Sequence, residues 1–123
     1  MEVLLHAGLD LARFQAKFSK VRAAIERDDF KGADLKKLAP TPYWRAKLDD
    51  ASRLLVRFVR HGDRTACLAL EIIPHHAYGK SRFLRGAQLD ASAILPEASP
   101  EQARLDAEPL RYLQPGQAVF HLL

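Results

Sequence analysis

The chain is poor in several things, and each shortage narrows what it does. A single cysteine, Cys67, stands in 123 residues, so no intrachain disulfide forms. A reducing compartment suits such a protein. No apolar run approaches the roughly 18 residues that a membrane helix needs. The opening Met1-Glu2-Val3-Leu4-Leu5-His6 has no basic stretch ahead of a long apolar one, so it does not read as a signal peptide. A soluble, cytoplasmic protein is expected, with no membrane partner. No Gly-x-x-x-x-Gly-Lys-Ser/Thr loop occurs, which excludes a nucleotide-driven motor within these residues. No internal repeat is found. No cofactor motif is present, and none is expected. His75 and His76 are adjacent, and on an extended chain they point to opposite faces, so no metal is expected there either.

Enough apolar sequence is present, at 48% of residues, to bury one core without a staple. Net charge is +4, and its placement says more than its size. Residues 43–86 hold nine basic and four acidic side chains, whereas the rest of the chain holds ten and eleven. All the excess positive charge therefore lies in the middle third. A localised basic surface points to a polyanion, nucleic acid first. An ordinary solvated face of a sheet reads the same way.

Along the chain, Glu2–His6 reads as a short edge strand. Leu11, Phe14, Phe18, Val21 and Ile25 then recur at helical spacing, with Asp10 as a candidate N-cap. Phe14 and Phe18 are expected in the core. Residues 33–38 read as one or two further helical turns with Leu35 and Leu38 inward. Pro40 and Pro42 drive the chain extended. Tyr43–Asp49 alternates with period two, burying Trp44, Ala46 and Leu48 and exposing Arg45 and Lys47. Arg53–Arg60 is a second strand, with Leu54, Val56 and Phe58 on one face and Arg53, Leu55, Arg57 and Val59 on the other. His61-Gly62-Asp63 is a turn. Ala66–Ile73 is nearly continuous apolar sequence, expected as a central strand ended by Pro74. Short turns between these three strands predict an antiparallel meander. Glu71 is expected to pair with a sheet arginine, because a lone buried carboxylate is costly. Tyr78–Leu84 reads as a short helical turn. Ser99-Pro100-Glu101-Gln102 has the form of a helix start, running to about Glu108. The final Ala118–Leu123 is apolar, and either closes the sheet or leads into a missing domain. The expected division is a core domain over residues 1–88 and a C-terminal extension over residues 89–123.

This order of elements, with Leu35-Lys36-Lys37-Leu38, Tyr43-Trp44-Arg45-Ala46-Lys47-Leu48, Asp49-Asp50-Ala51-Ser52-Arg53-Leu54-Leu55 and Leu70–Tyr78, resembles the RelE/ParE superfamily of small bacterial toxins over residues 2–85. The resemblance implies an α+β fold: an N-terminal strand and helices packed on an antiparallel β-meander. Leu70–Gly86 is also similar to a segment that precedes a helicase or ATPase core in some large bacterial proteins. By resemblance the partners are nucleic acid, RNA ahead of DNA, and either an antitoxin or an attached motor domain. Three readings stay open. In the first, the basic sheet face is a binding module that docks nucleic acid or a protein target. In the second, the chain is a metal-independent mRNA endonuclease. In the third, it resembles the gyrase-directed members, which act by protein contact alone and cleave nothing. Cleavage needs a base for the ribose 2′-hydroxyl, an acid for the leaving oxygen and cations for the phosphorane. Arg53, His76 and Tyr78 are the candidates for that chemistry, and they are expected to converge beside Lys47. Arg45, Lys47, Arg57, Lys80, Arg82 and Arg85 are the candidate nucleic-acid contacts, arginine being suited by its planar fork. Where catalytic members more often carry arginine, this chain has His75-His76.

Overall fold

The computed structural model describes residues 1–74, 77–81, 83–84, 94–95, 100–109 and 120–122. His75, His76, Arg82 and Arg85 lie outside the described residues, as do residues 89–93 and 110–119. The chain is an α+β protein with one mixed sheet. Its elements are β1 (Glu2–His6), α1 (Gln15–Glu26), β2 (Lys36–Leu38), β3 (Trp44–Lys47), β4 (Ser52–His61), β5 (Arg64–Pro74), β6 (Ile94–Leu95), α2 (Pro100–Asp106), β7 (Glu108–Pro109) and β8 (Phe120–Leu122). The sheet runs β6-β2-β3-β4-β5-β1-β8, and β7 pairs with β4 off that path.

The alternating segments form β3, β4 and β5, and these make the expected antiparallel meander. Between β4 and β5, His61 pairs with Arg64 and leaves a two-residue turn, where Gly62 takes φ 69°. That left-handed backbone is what glycine supplies most cheaply. The register shifts once: Leu55 faces Glu71 while Val56 faces Ala69, so Leu70 is the extra residue of a bulge.

β1 is an interior strand rather than the expected edge. It lies parallel to β5, from Glu2 opposite Ala66 to Leu5 opposite Ala69, and antiparallel to β8 on its other side. A parallel partner requires a long crossover, and the chain through α1 and the meander supplies it.

The helix begins four residues later than its apolar stripe. Asp10 Oδ1 accepts the Ala12 N–H at 3.0 Å, and Phe14 N–H reaches the Leu11 carbonyl, so residues 10–14 form turns. Asp10 therefore organises a local turn instead of capping the helix, and Phe14 is half-buried beside the core. At the other end Asp28 takes φ 61°, with Asp28 N–H on Ile25 O and Asp29 N–H on Ala24 O. This is a Schellman ending with aspartate in the place glycine usually holds.

Residues 33–38 are not helical. Leu35 and Leu38 are buried as expected, but the backbone is a turn that leads into β2, which pairs with β3. Asp34 takes φ 50°, which interrupts any helix. The later helix does start at Pro100, with its backbone N–H deficit placed where no partner is needed.

The sheet has an apolar layer on each side. On one face α1 and α2 cover Val3, Trp44, Leu54, Val56, Phe58 and Cys67. Phe58 stacks on Phe30 at 5.3 Å between ring centres and meets Trp44 edge-on at 5.2 Å. Lys37 to Asp106 (2.6 Å) and Arg104 to Asp28 (2.9 Å) tie α2 to this side. The opposite face carries Leu4, Leu38, Leu55, Val59, Leu68, Leu70 and Ile73, with Tyr43, Tyr78, Phe83 and Leu84 packed on them. The 3-10 turn Tyr78–Lys80 carries part of that cover. Strands β4 and β5 are therefore buried on both sides, as the near-continuous apolar run of β5 requires. Among the described residues no helix is long and apolar enough to cross a membrane.

Candidate nucleic-acid interface

The face covered by Tyr78 is also the face that carries the arginines. Side chains alternate along a strand, and directly paired residues share a face. Arg45 pairs with Leu55, and Lys47 pairs with Arg53. Arg53, Leu55 and Arg57 follow at two-residue steps along β4, so Arg45, Lys47, Arg53 and Arg57 all project from one side. Lys47 lies directly across from Arg53, and Arg45 is diagonal to both Arg53 and Arg57. Lys36, opposite Arg45, extends the row at the β2 edge. Like charges placed directly opposite one another on a sheet are destabilising.

What each cation touches decides how free it is. Arg45 was expected in water and is instead only 7% exposed. Its Nη1 donates to the Asp34 carbonyl at 3.2 Å and to Asp34 Oδ2 at 3.0 Å. The left-handed backbone at Asp34 turns both acceptors toward it. Burial raises the Asp34 carboxyl, but the hydrogen bond and charge of Arg45, with help from Lys36, outweigh it and hold the group below its ordinary value. Arg45 is therefore structural first, and a source of long-range positive potential second. Arg53 is half-buried, and its Nη1 donates to the carbonyls of Asp49 (2.6 Å) and Ser52 (3.2 Å), with no carboxylate partner among the described residues. Arg57 makes no hydrogen bond or ion pair among the described residues, and its guanidinium carbon lies 5.6 Å from the centre of the Tyr43 ring. Lys47 is exposed and pairs with the fully exposed Asp50 at 3.2 Å, a contact of little strength. Lys80 is exposed in the 3-10 turn.

The hairpin that sets this spacing is built by Asp49. Its Oδ1 accepts the N–H groups of Ala51 (2.9 Å) and Ser52 (2.7 Å), and Lys17 donates to its Oδ2 at 2.7 Å. The Lys17 hydrogen bond leads the effects that bring this carboxyl down to about 2.

Among the described residues Glu71 pairs with no sheet arginine, contrary to expectation. Its Oε2 accepts the Ser81 hydroxyl at 2.7 Å. The bulge at Leu70 re-aims this part of β5, and the Tyr78–Leu84 segment brings Ser81 over it. Tyr78 is half-buried on the same face. Burial raises its phenol, and the nearby charges of Arg45 and Arg53 only partly offset that rise. The phenol thus keeps its proton at neutral pH. Arg53, Tyr78 and Lys47 are brought to one part of the sheet, while His76 falls outside the described residues. Sequence reasoning missed Tyr43 and Lys36. Period two through Tyr43–Leu48 held the signal for Tyr43, since it alternates with Trp44. Among the described residues no three His, Cys, Asp or Glu side chains gather to hold a metal ion.

Compared with known proteins, the chain matches no family model, no curated protein and no solved structure.

Proposed function

We propose that this chain is a RelE/ParE-like domain whose β3–β4 basic face binds the phosphate backbone of nucleic acid, RNA ahead of DNA. One observation carries the reading: Lys47, Arg53 and Arg57 crowd one face beside the buried Arg45, and neither Arg53 nor Arg57 has a carboxylate partner among the described residues. A bound phosphate chain relieves that repulsion and uses the guanidinium forks. The order strand, helix and meander, with β1 beside β5, supports the family likeness. The strand β2, standing where a second helix was expected, weighs against it.

The test is fluorescence anisotropy with a labelled single-stranded RNA as salt rises from about 50 to 200 mM. Three neutralised phosphates give a log–log slope near −2, so affinity falls roughly 20-fold over that range. Lys47→Ala flattens the slope by roughly 0.7–1. No binding at the lowest salt, or binding that ignores salt, removes nucleic acid as the partner.

A second reading, metal-independent RNA cleavage, is favoured by one feature: the protonated Tyr78 phenol under the charges of Arg45 and Arg53. It predicts cleavage that persists in chelator and drops roughly 100-fold or more in Tyr78→Phe. Intact RNA after incubation with and without ribosomes leaves the binding role alone.

A further inference from the structure

We infer that the stacked pair Tyr43–Arg57 is a nucleobase subsite, which makes the basic face select single strands over duplex. The inference rests on the nucleic-acid reading above and adds what that reading lacks, a reason for strand selectivity.

The register supplies the geometry. Trp44 pairs with Val56, so Tyr43 stands opposite Arg57, on the face of Arg45, Lys47 and Arg53. The Tyr43 ring is held on two sides. Arg57 lies over it at 5.6 Å, and Phe83 leans against it at 6.3 Å and 55°. Tyr43 is half-buried, so the residue is not closed off from solvent. The Arg57 Nε is closed to solvent, without an acceptor among the described residues. Both groups are flat, and contact between them limits the freedom they have left to lose on binding.

The surroundings fit a nucleotide rather than an isolated ring. Arg53 and Arg57 are two strand repeats apart, about 13 Å. That span is comparable with two phosphate steps of an extended strand. A base that stacks on Tyr43 or on the Arg57 plane thus has one cation beside its own phosphate and another about two phosphates along. Duplex bases are already stacked inside the helix and present no free π-face, whereas a single strand can turn one outward.

The test compares a labelled oligouridylate with an RNA duplex of equal length at about 50 mM salt, for the wild type and for Tyr43→Ala, Tyr43→Phe and Lys47→Ala. Urea denaturation of each variant confirms that it folds. The wild type is expected to bind the single strand more tightly. Tyr43→Ala is expected to weaken single-strand binding roughly 10-fold or more, with the salt slope and the duplex affinity unchanged. Tyr43→Phe, which keeps the ring, stays within a few-fold of the wild type. Lys47→Ala weakens both ligands and flattens the slope. If Tyr43→Ala binds the single strand as the wild type does, or loses both ligands equally, the stacking subsite is overturned while the phosphate-binding face stands. If the wild type binds neither ligand, both inferences fall.

Discussion

Arg45→Met tests the departure from expectation on which the basic face depends. Methionine keeps the length and apolar stem of the side chain and removes the guanidinium. In the wild type the Arg45 side chain is 9% exposed and Asp34 is 39% exposed. Breaking a fully buried ion pair by deleting one partner costs about 3–5 kcal/mol. Asp34 is open enough for water to take over its carboxylate, so the loss sits below that range. Hydrogen bonds to charged groups contribute about 1.5–3 kcal/mol. A loss of about 2 kcal/mol at pH 7 follows, or a urea midpoint lower by roughly 1 M. Trp44, the single tryptophan and 1% exposed, reports the transition by fluorescence. The pH dependence has a definite sign. The folded Asp34 carboxyl lies below its ordinary 3.8, so its contribution is complete above that value and is lost as pH falls through the folded one. The gap between wild type and variant therefore narrows as pH drops below about 4. A double-mutant cycle with Asp34→Asn, which tolerates the left-handed backbone, isolates the pair. A cycle coupling below roughly 0.5 kcal/mol, the level of an exposed pair, refutes the reasoning, and so does a gap that ignores pH.

Phe58→Ala removes the ring that joins Phe30 and Trp44, and is expected to cost about 3–5 kcal/mol in urea denaturation, a large share of the stability of a domain this size. Gly62→Val meets no atom within 4 Å, so its loss of about 1–2 kcal/mol in thermal melts comes from the φ of 69° alone, and Gly62→Asn loses less. The Asp49 carboxyl should titrate near 2 by NMR, and in Lys17→Ala its midpoint should move up toward 3.8. An unchanged midpoint would remove Lys17 as the leading cause.

Local sequence was enough for whatever depends on consecutive residues. Period two through β3 and β4 placed Trp44, Ala46, Leu54, Val56 and Phe58 on one face, and the structure buries them together. The unbroken apolar run of β5 announced a strand covered on both sides, the stripe from Phe18 to Ile25 announced α1, and Gly62 announced the turn. Charge counting found the basic third of the chain because strand pairing gathers neighbours in sequence into neighbours in space. Other features needed the tertiary fold. Arg45 has the spacing of an exposed residue, and it is buried because a left-handed Asp34, eleven positions earlier, presents a carbonyl and a carboxylate to it. Residues 36–38 carry no strand signal of their own and become β2 only because the edge of β3 offers hydrogen bonds. Glu71 turns to Ser81 because a bulge and the following segment bring the hydroxyl there. Periodicity states which side of an element a residue takes. What covers that side, and which distant donor or acceptor meets it, is a property of packing between segments, and only the folded chain decides it.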